Sequence, residues 1–205
     1  MLLSLNKKFL FIANLKTAST SIERTLAPHC ELRLTQANHG KHMSFVEIAE
    51  RFRWLLSCTS IDDLFIFGVI RDPVDFVLSL YNSHKRDQFK DNARLYTGNM
   101  TFEEFIAQWV PKNADQLKNQ HVRFVSSEGR LITNLLISYD KLHEGLEIVA
   151  NKIGAPDLPK MPKANASPDG LTRADLTKEQ IDWIEARFRR DREFINRHAN
   201  KLVGV

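Results

Sequence analysis

The sequence predicts an α/β protein in which a central, mostly parallel sheet is flanked by helices. Three apolar runs of strand length support this prediction, namely Lys8–Ala13, Leu64–Ile70 and Leu131–Ser138. Helical patterns lie between them, and strands that alternate with helices favour parallel pairing. The chain has 205 residues, of which 43% are hydrophobic, so it is long enough to enclose one sizeable core. We therefore expect a single domain over residues 1–205.

Helices are predicted where apolar residues recur at helical spacing or where end signals occur. The first follows a Thr- and Ser-rich turn and ends before Pro28, and another begins at Pro73 after the second strand. In chain order, the other predicted helices cover Ser44–Leu56, Thr101 to about Val110, Asp140–Ile153, and a segment that begins after Thr177. The helix predicted over Asp140–Ile153 is closed by Gly154, a residue typical of helix ends.

Charge and hydropathy exclude several classes of protein. The net charge of +4 is small, and the basic residues do not cluster with interleaved aromatics, so no nucleic-acid partner is predicted. No apolar stretch reaches the roughly 18–20 residues of a membrane span. Lys7 and Lys8 interrupt the apolar opening, which is unlike a signal peptide. We expect a soluble, cytoplasmic protein.

The two cysteines, Cys30 and Cys58, lie far apart and form no CxxC pair. We interpret both as small buried hydrophobes. The sequence also lacks an HExxH motif and other Cys/His ligand spacings, so we expect no metal.

Two polar segments follow two of the predicted strands. After the first come Lys16, Thr17, Ala18, Ser19, Thr20 and Ser21, which place a lysine and hydroxyls where a helix begins. This arrangement suits a phosphate or sulfate group, although a simple N-capped helix with a surface lysine explains it as well. The segment lacks the glycines of a Walker A loop, which disfavours a standard ATP-hydrolysing site.

The second polar segment is Arg71-Asp72-Pro73, with Ser79 on the helix that follows. Ligands of open parallel sheets bind beyond the carboxyl ends of strands, and an arginine there can hold a phosphate with two hydrogen bonds. An Arg71–Asp72 pair that merely closes a strand–helix corner is the alternative. Together, the two segments indicate a ligand with anionic groups at both ends.

These motifs resemble those of a known family. FLFIANLKTASTSIERTL is similar to the 5′-phosphosulfate loop of sulfotransferases, and FGVIRDPVDFVLSLY is similar to their 3′-phosphate motif. The similarity points to the carbohydrate branch, which includes heparan-sulfate 2-O-sulfotransferases and bacterial relatives. It implies a P-loop-like three-layer fold in a single sulfotransferase domain. The sequence departs from the family pattern at Leu15, where proline is usual, and at Phe76, where a second arginine is common.

The resemblance implies a donor and roles for the residues. The donor is 3′-phosphoadenosine 5′-phosphosulfate (PAPS), which leaves as adenosine 3′,5′-bisphosphate (PAP), and no metal is required. Lys16 would contact the bridging oxygen and stabilise the leaving nucleotide. The resemblance also assigns residues to the two ends of the donor: Thr17, Ala18, Ser19, Thr20 and Ser21 to the 5′-phosphosulfate, and Arg71 and Ser79 to the 3′-phosphate.

The acceptor, a hydroxyl-bearing small molecule or saccharide, needs a general base. His42 aligns with the base of the 2-O-sulfotransferases, and histidine suits the role because its ordinary pKa lies near working pH. His39 is the substitute candidate, Glu23 and Glu47 are further alternatives, and a pair of solvated loop histidines is the non-functional interpretation.

Other assignments are less specific. Gln120 and Arg123 are candidate substrate contacts that equally suit surface and core positions of a helix. Lys160, Lys163 and Asn165 lie in a Pro-rich segment where relatives cover the nucleotide. The sequence thus predicts a PAPS-dependent O-sulfotransferase with a carbohydrate-like acceptor. An ATP-dependent phosphotransferase and an inactive nucleotide-binding module are the alternatives.

Overall fold

The computed structural model describes residues 1–158 and 170–203. The described residues group into two compact units. Unit 1 contains residues 1–71, 120–158 and 194–203, and unit 2 contains residues 72–119 and 170–193. The expectation of one domain over the whole chain stays a prediction.

The sheet of the described chain lies in unit 1 and has five strands in the order β3-β1-β2-β4-β5. The strands are β1 (Leu2–Ser4), β2 (Phe9–Ile12), β3 (Leu32–Arg33), β4 (Phe65–Ile70) and β5 (Leu135–Ser138). Strand β4 pairs in parallel with β2 and β5, whereas β1 pairs antiparallel with β2 and β3. The α/β fold with a mostly parallel central sheet is confirmed, and the three strands joined by parallel pairing, β2, β4 and β5, are those predicted. Strands β1 and β3 were not predicted, because they have only three and two residues.

The helices agree with the predicted positions more closely than with the predicted lengths. The α-helices are α1 (Ser19–Leu26), α2 (Phe45–Arg51), α3 (Arg53–Leu56), α4 (Pro73–His84), α5 (Phe102–Glu104), α6 (Val110–Lys112), α7 (Leu142–Lys152), α8 (Lys178–Arg187) and α9 (Arg189–His198), with a π-helical turn at Phe105–Trp109. Short 3-10 turns cover Ala27–His29, Ala37–His39, Ile61–Asp63, Asp87–Phe89, His121–Arg123, Tyr139–Lys141 and Arg173–Asp175. The helix predicted over Ser44–Leu56 is divided at Phe52, whose φ of −114° and ψ of 26° are not helical.

Both faces of the sheet are covered by buried side chains, as the three-layer prediction requires. Phe11, Phe67 and Ile137 pack on one face with Ile22 and Leu26 of α1. The other face carries a second cluster with residues of α2 and α3, including Leu10, Ile12, Ile66, Ile48 and Leu56. Alternate residues of each strand therefore pack into two separate hydrophobic cores, one on each face of the sheet.

Strand β4 has a glycine at its centre because a ring lies against it. A Cβ atom at Gly68 would lie 2.3 Å from Cε1 of Phe124, which is fully buried. This close approach fixes Phe124, and with it the turn at His121–Arg123, against the sheet of unit 1.

Unit 2 explains why Phe76 replaces the arginine that is common in the family motif. Phe76 is 1% exposed and packs edge-on against Phe188, with ring centroids 5.8 Å apart. Position 76 is thus a core position of this unit, where an arginine would bury an unpaired charge. Asp72 begins α4 by accepting hydrogen bonds from Val74 and Asp75, as a capping residue does.

Two further expectations concern membranes and cysteines. Among the described residues, no helix is both long and apolar enough to cross a membrane. The interpretation of both cysteines as buried is wrong, because Cys58 is exposed and Cys30 is only partly buried. Cys58 lies just after α3, where the chain passes over the surface.

Candidate active site

The two predicted anion-binding segments of unit 1 contact each other. Strands β2 and β4 are parallel neighbours, so the segments that follow them leave the same edge of the sheet. Nη1 of Arg71, directly after β4, donates to the carbonyl oxygen of Lys16, which follows β2, over 3.1 Å. The Arg71 side chain and the main chain of the Lys16 loop, predicted from separate motifs, therefore meet beyond the carboxyl ends of the strands, where such sheets bind ligands.

The loop between β2 and α1 turns without glycine. Lys16 and Ala18 have φ values of 60° and 57°, in the left-handed region that side chains rarely adopt. Thr17, fully buried, fixes the turn by donating from Oγ1 to the carbonyl of Asn14 over 3.1 Å. Non-glycine residues in this conformation cost about 1–3 kcal/mol each and concentrate at functional sites.

The N-terminus of α1 is suited to an anion. Ala18 occupies the capping position and supplies no side-chain hydrogen bond, although capping residues usually do. The first N–H groups of a helix have no acceptor within the helix and carry partial positive charge. Thr20 is exposed, Ser21 is partly exposed, and Ser19 is buried. The loop thus presents backbone donors together with hydroxyls, which is the chemistry that phosphate and sulfate require.

Arg71 is also held by a ring contact and by two hydrogen bonds to its main chain. Its guanidinium lies over the ring of Tyr139, 4.2 Å from the ring centroid. Its backbone N–H donates to Oε1 of Gln120 over 3.0 Å, and its carbonyl accepts from Nε2 of the same residue over 2.8 Å. The side chain of Gln120 therefore fixes the main chain from which the guanidinium projects.

Asn14, which was not among the predicted site residues, completes this arrangement. Asn14 is fully buried, and its Nδ2 donates to Oε1 of Gln120 over 2.9 Å and to the carbonyl of Val69 over 3.2 Å. Its Oδ1 accepts from the backbone N–H of Leu15. The sequence does contain a signal for this role, since an asparagine directly follows an apolar strand. Where such a side chain is buried, its polar atoms need hydrogen-bond partners at the end of the strand. The two amides connect the end of β2 to the end of β4.

Replacement of Gln120 by leucine is expected to lower the free energy of unfolding by about 3 kcal/mol, because buried groups of Asn14 and Arg71 lose their partners. Urea denaturation measures the change. Gln36, an exposed glutamine of the same unit, is the matched control, and Gln36→Leu should be nearly neutral. A loss below about 1 kcal/mol for Gln120→Leu would show that the amide pair is dispensable.

His42 lies in the segment before α2, and its Nδ1 is 3.2 Å from the carbonyl oxygen of Ala13. Since a carbonyl only accepts hydrogen bonds, Nδ1 carries the proton and Nε2 keeps its lone pair. Burial lowers the pKa of His42 to about 4; the hydrogen bond to Ala13 opposes this shift, whereas the charges of Arg123 and Lys41 reinforce it. His42 is therefore neutral near pH 7, in the tautomer that a general base needs.

The low pKa of His42 predicts a loss of stability in mild acid. The unfolded ring binds a proton near pH 6.5 and the folded ring only near pH 4, so stability falls as the pH drops through this range. We expect the wild type to lose more unfolding free energy than His42→Gln between about pH 7 and pH 4.5, by up to a few kcal/mol. Urea titrations at both pH values measure this difference, and identical losses would contradict it.

The other candidates for the base have different surroundings. His39 is exposed in a 3-10 turn. Glu23 is buried and accepts from Nζ of Lys41 over 2.7 Å, and Glu47 accepts from the backbone and hydroxyl of Ser44 in a capping box. Both carboxylates are thus engaged in contacts that stabilise structure. Among the alternatives, Glu23 is buried, whereas His39 and Glu47 are exposed to solvent.

The remaining predicted site residues divide into three groups. Arg123 lies in unit 1, where its Nε donates to the carbonyl of His42 over 3.2 Å. Ser79 is partly exposed on α4 of unit 2, and its assignment to the 3′-phosphate stays a prediction from the motif. Lys160, Lys163 and Asn165 lie outside the described residues. Within residues 1–158 and 170–203, no group of three or more His, Cys, Asp or Glu side chains is placed to hold a metal ion.

The comparison with protein families agrees with this geometry. The sequence profile described as the sulfotransferase family matches residues 2–196, nearly the whole chain. The chain belongs to the sulfotransferase family. No curated protein and no solved structure matches it significantly. Family membership makes this protein a transferase of sulfuryl groups in general terms, and the family generally uses PAPS as donor.

Proposed function

We propose that this sulfotransferase transfers the sulfuryl group of PAPS to a hydroxyl of a carbohydrate-like acceptor and releases PAP. The main support is the contact of Arg71 with the Lys16 loop, beside a helix N-terminus without a side-chain cap. This arrangement brings the Arg71 guanidinium, the loop that carries Lys16 and the start of α1 to one edge of the sheet. A nucleotide with anionic groups at both ends matches it.

Each residue of the loop has a distinct task in this proposal. Lys16 faces the bridging oxygen and stabilises the charge that develops there as the sulfur–oxygen bond breaks. The N–H groups and hydroxyls of the first turn of α1 hold the 5′-phosphosulfate, and Arg71 holds the 3′-phosphate. Arg71 keeps its orientation because Tyr139 and Gln120 fix its two ends. Binding and charge stabilisation supply most of the rate in such in-line displacements.

His42 serves as the base. Nε2 takes the proton of the acceptor hydroxyl while the acceptor oxygen forms its bond to sulfur, and the bond from sulfur to the nucleotide oxygen breaks. The hydrogen bond from Nδ1 to Ala13 fixes the ring and stabilises the imidazolium that results. The proposal requires no metal. It also places the protein in the cytoplasm, with an acceptor that is a small molecule or a saccharide.

A thermal-shift titration tests the donor site. PAP at a hundredfold excess over its Kd should add about 2.7 kcal/mol of stability, which is roughly 5–11 °C for a chain of this size. ATP with Mg²⁺ serves as the comparison, because an ATP-dependent phosphotransferase is the alternative. A shift with ATP and Mg²⁺ but none with PAP would overturn the proposal. A shift with PAP and no transfer to saccharides or phenols would indicate the inactive nucleotide-binding module.

A further inference from the structure

We propose that Lys41 is a positioning residue that directs the Thr20 hydroxyl toward the anionic groups of the donor. This inference rests on the proposed function, because it assumes that Thr20 contacts the 5′-phosphosulfate. Lys41 immediately precedes the predicted base, and the sequence motifs assign it no role.

The ammonium group of Lys41 has two acceptors in unit 1. Nζ lies 2.7 Å from Oε2 of Glu23 and 3.0 Å from Oγ1 of Thr20. Lys41 is 8% exposed and Glu23 is 4% exposed, so the ion pair is almost entirely removed from water. A lysine is rarely buried unless it is paired, and the carboxylate of Glu23 compensates its charge.

The bond to Thr20 has a fixed direction. An ammonium group can only donate, so the Thr20 oxygen accepts, and its own hydrogen is not used in this bond. A hydroxyl has one hydrogen, and because the bond to Lys41 does not use it, that hydrogen can be donated to a different acceptor. The hydroxyl therefore acts as a donor at the first turn of α1, and the adjacent positive charge strengthens that donation.

Stabilising the fold does not require this second bond. Glu23 alone compensates the buried charge of Lys41, whereas Thr20 is exposed to solvent. Thr20 and Lys41 both line a surface cleft of about 530 Å³, together with Arg24 and Arg33. A dissolved anion therefore has access to the hydroxyl that Lys41 orients.

A double-mutant cycle separates the positioning role from a structural one. The four proteins are the wild type, Thr20→Val, Glu23→Gln/Lys41→Met, and the triple variant that combines these changes. The paired substitution removes the charges of Glu23 and Lys41 together and avoids an uncompensated buried carboxylate. The N-terminal ammonium of Met1, 4.0 Å from Oε1 of Glu23, keeps its hydrogen bonds to the backbone carbonyls of Leu34 and Lys41. Calorimetry with PAP gives the Kd of each protein. The Lys8–Asp63 pair, 3.7 Å apart and exposed, supplies the control variant Lys8→Met/Asp63→Asn.

Positioning predicts strong coupling between the two changes. Thr20→Val and Glu23→Gln/Lys41→Met should each weaken PAP binding by about tenfold, and the triple variant should be no weaker than Thr20→Val. Lys41→Arg keeps the charge and the donors and should stay within about threefold of the wild type. The control variant should bind like the wild type.

The possible failures can be told apart. If the wild type binds PAP and the losses from the two changes multiply in the triple variant, Lys41 acts through the fold and the inference is overturned. An unchanged Kd in Glu23→Gln/Lys41→Met would overturn it as well. If the wild type does not bind PAP at all, the proposed donor site fails, and the inference fails with it.

Discussion

Replacement of Lys16 by methionine is expected to reduce turnover by about two to three orders of magnitude, because the charge on the leaving nucleotide then lacks its nearest cation. The loss should appear mainly in kcat, measured with PAPS and a saccharide acceptor. The Kd of PAP should rise by less than about tenfold, since Arg71 and the N-terminus of α1 still hold the nucleotide.

Lys8 offers a matched control for this variant. Both lysines have a positive φ, 49° for Lys8 and 60° for Lys16, and they lie at opposite ends of β2. Lys8→Met should therefore show nearly wild-type turnover while introducing the same chemical change at the same kind of backbone position. Equal losses in the two variants would mean that a general effect of the substitution, and not the reacting group, explains the result.

The second large effect is expected at the base. His42→Ala should lower turnover by on the order of a hundredfold or more, while the affinity for PAP stays unchanged. The side chain takes a proton from the acceptor and carries no charge in the resting protein, so nucleotide binding does not depend on it. His39→Ala, which removes an exposed histidine three residues earlier, should leave turnover unchanged.

The pH profile of kcat/KM provides a second check on His42. Because its pKa is lowered to about 4, the ring is already neutral above pH 5 and can accept a proton there. Below about pH 5 the ring becomes protonated and can no longer act as a base. The profile should be flat from about pH 5 to pH 8 and fall towards pH 4. A decline centred near pH 6.5, or normal turnover in His42→Ala, would remove this residue from the mechanism.

The central fold was predictable because its strands are buried on both sides. Leu64–Ile70 is continuously apolar, as expected for a strand covered on two faces, and Pro73 indicates the start of the next helix. The edge strand β3 has two residues, one of them exposed, and so leaves no periodic signal. The break at Phe52 depends on how the chain turns between α2 and α3, which apolar spacing does not reveal.

The candidate site was predictable only where one segment contains the whole motif. The Lys16 loop and Arg71 each lie in a motif that can be read locally, whereas Asn14 and Gln120 act as a pair across 106 positions of the sequence. Gln120 was accordingly interpreted as a substrate contact, and the structure buries it against the main chain of Arg71. Its substrate role stays a prediction, and the structure supports a positioning role.

The most direct test of the proposed chemistry is a competition between two donors in one reaction. The protein receives PAPS with radiolabelled sulfur and ATP with a radiolabelled γ-phosphate, together with Mg²⁺ and a mixture of saccharides. The proposal predicts labelled sulfur on the saccharides, release of one PAP per transfer, and loss of both signals in Lys16→Met. Labelled phosphate on the saccharides, or no transfer of either label, would contradict it.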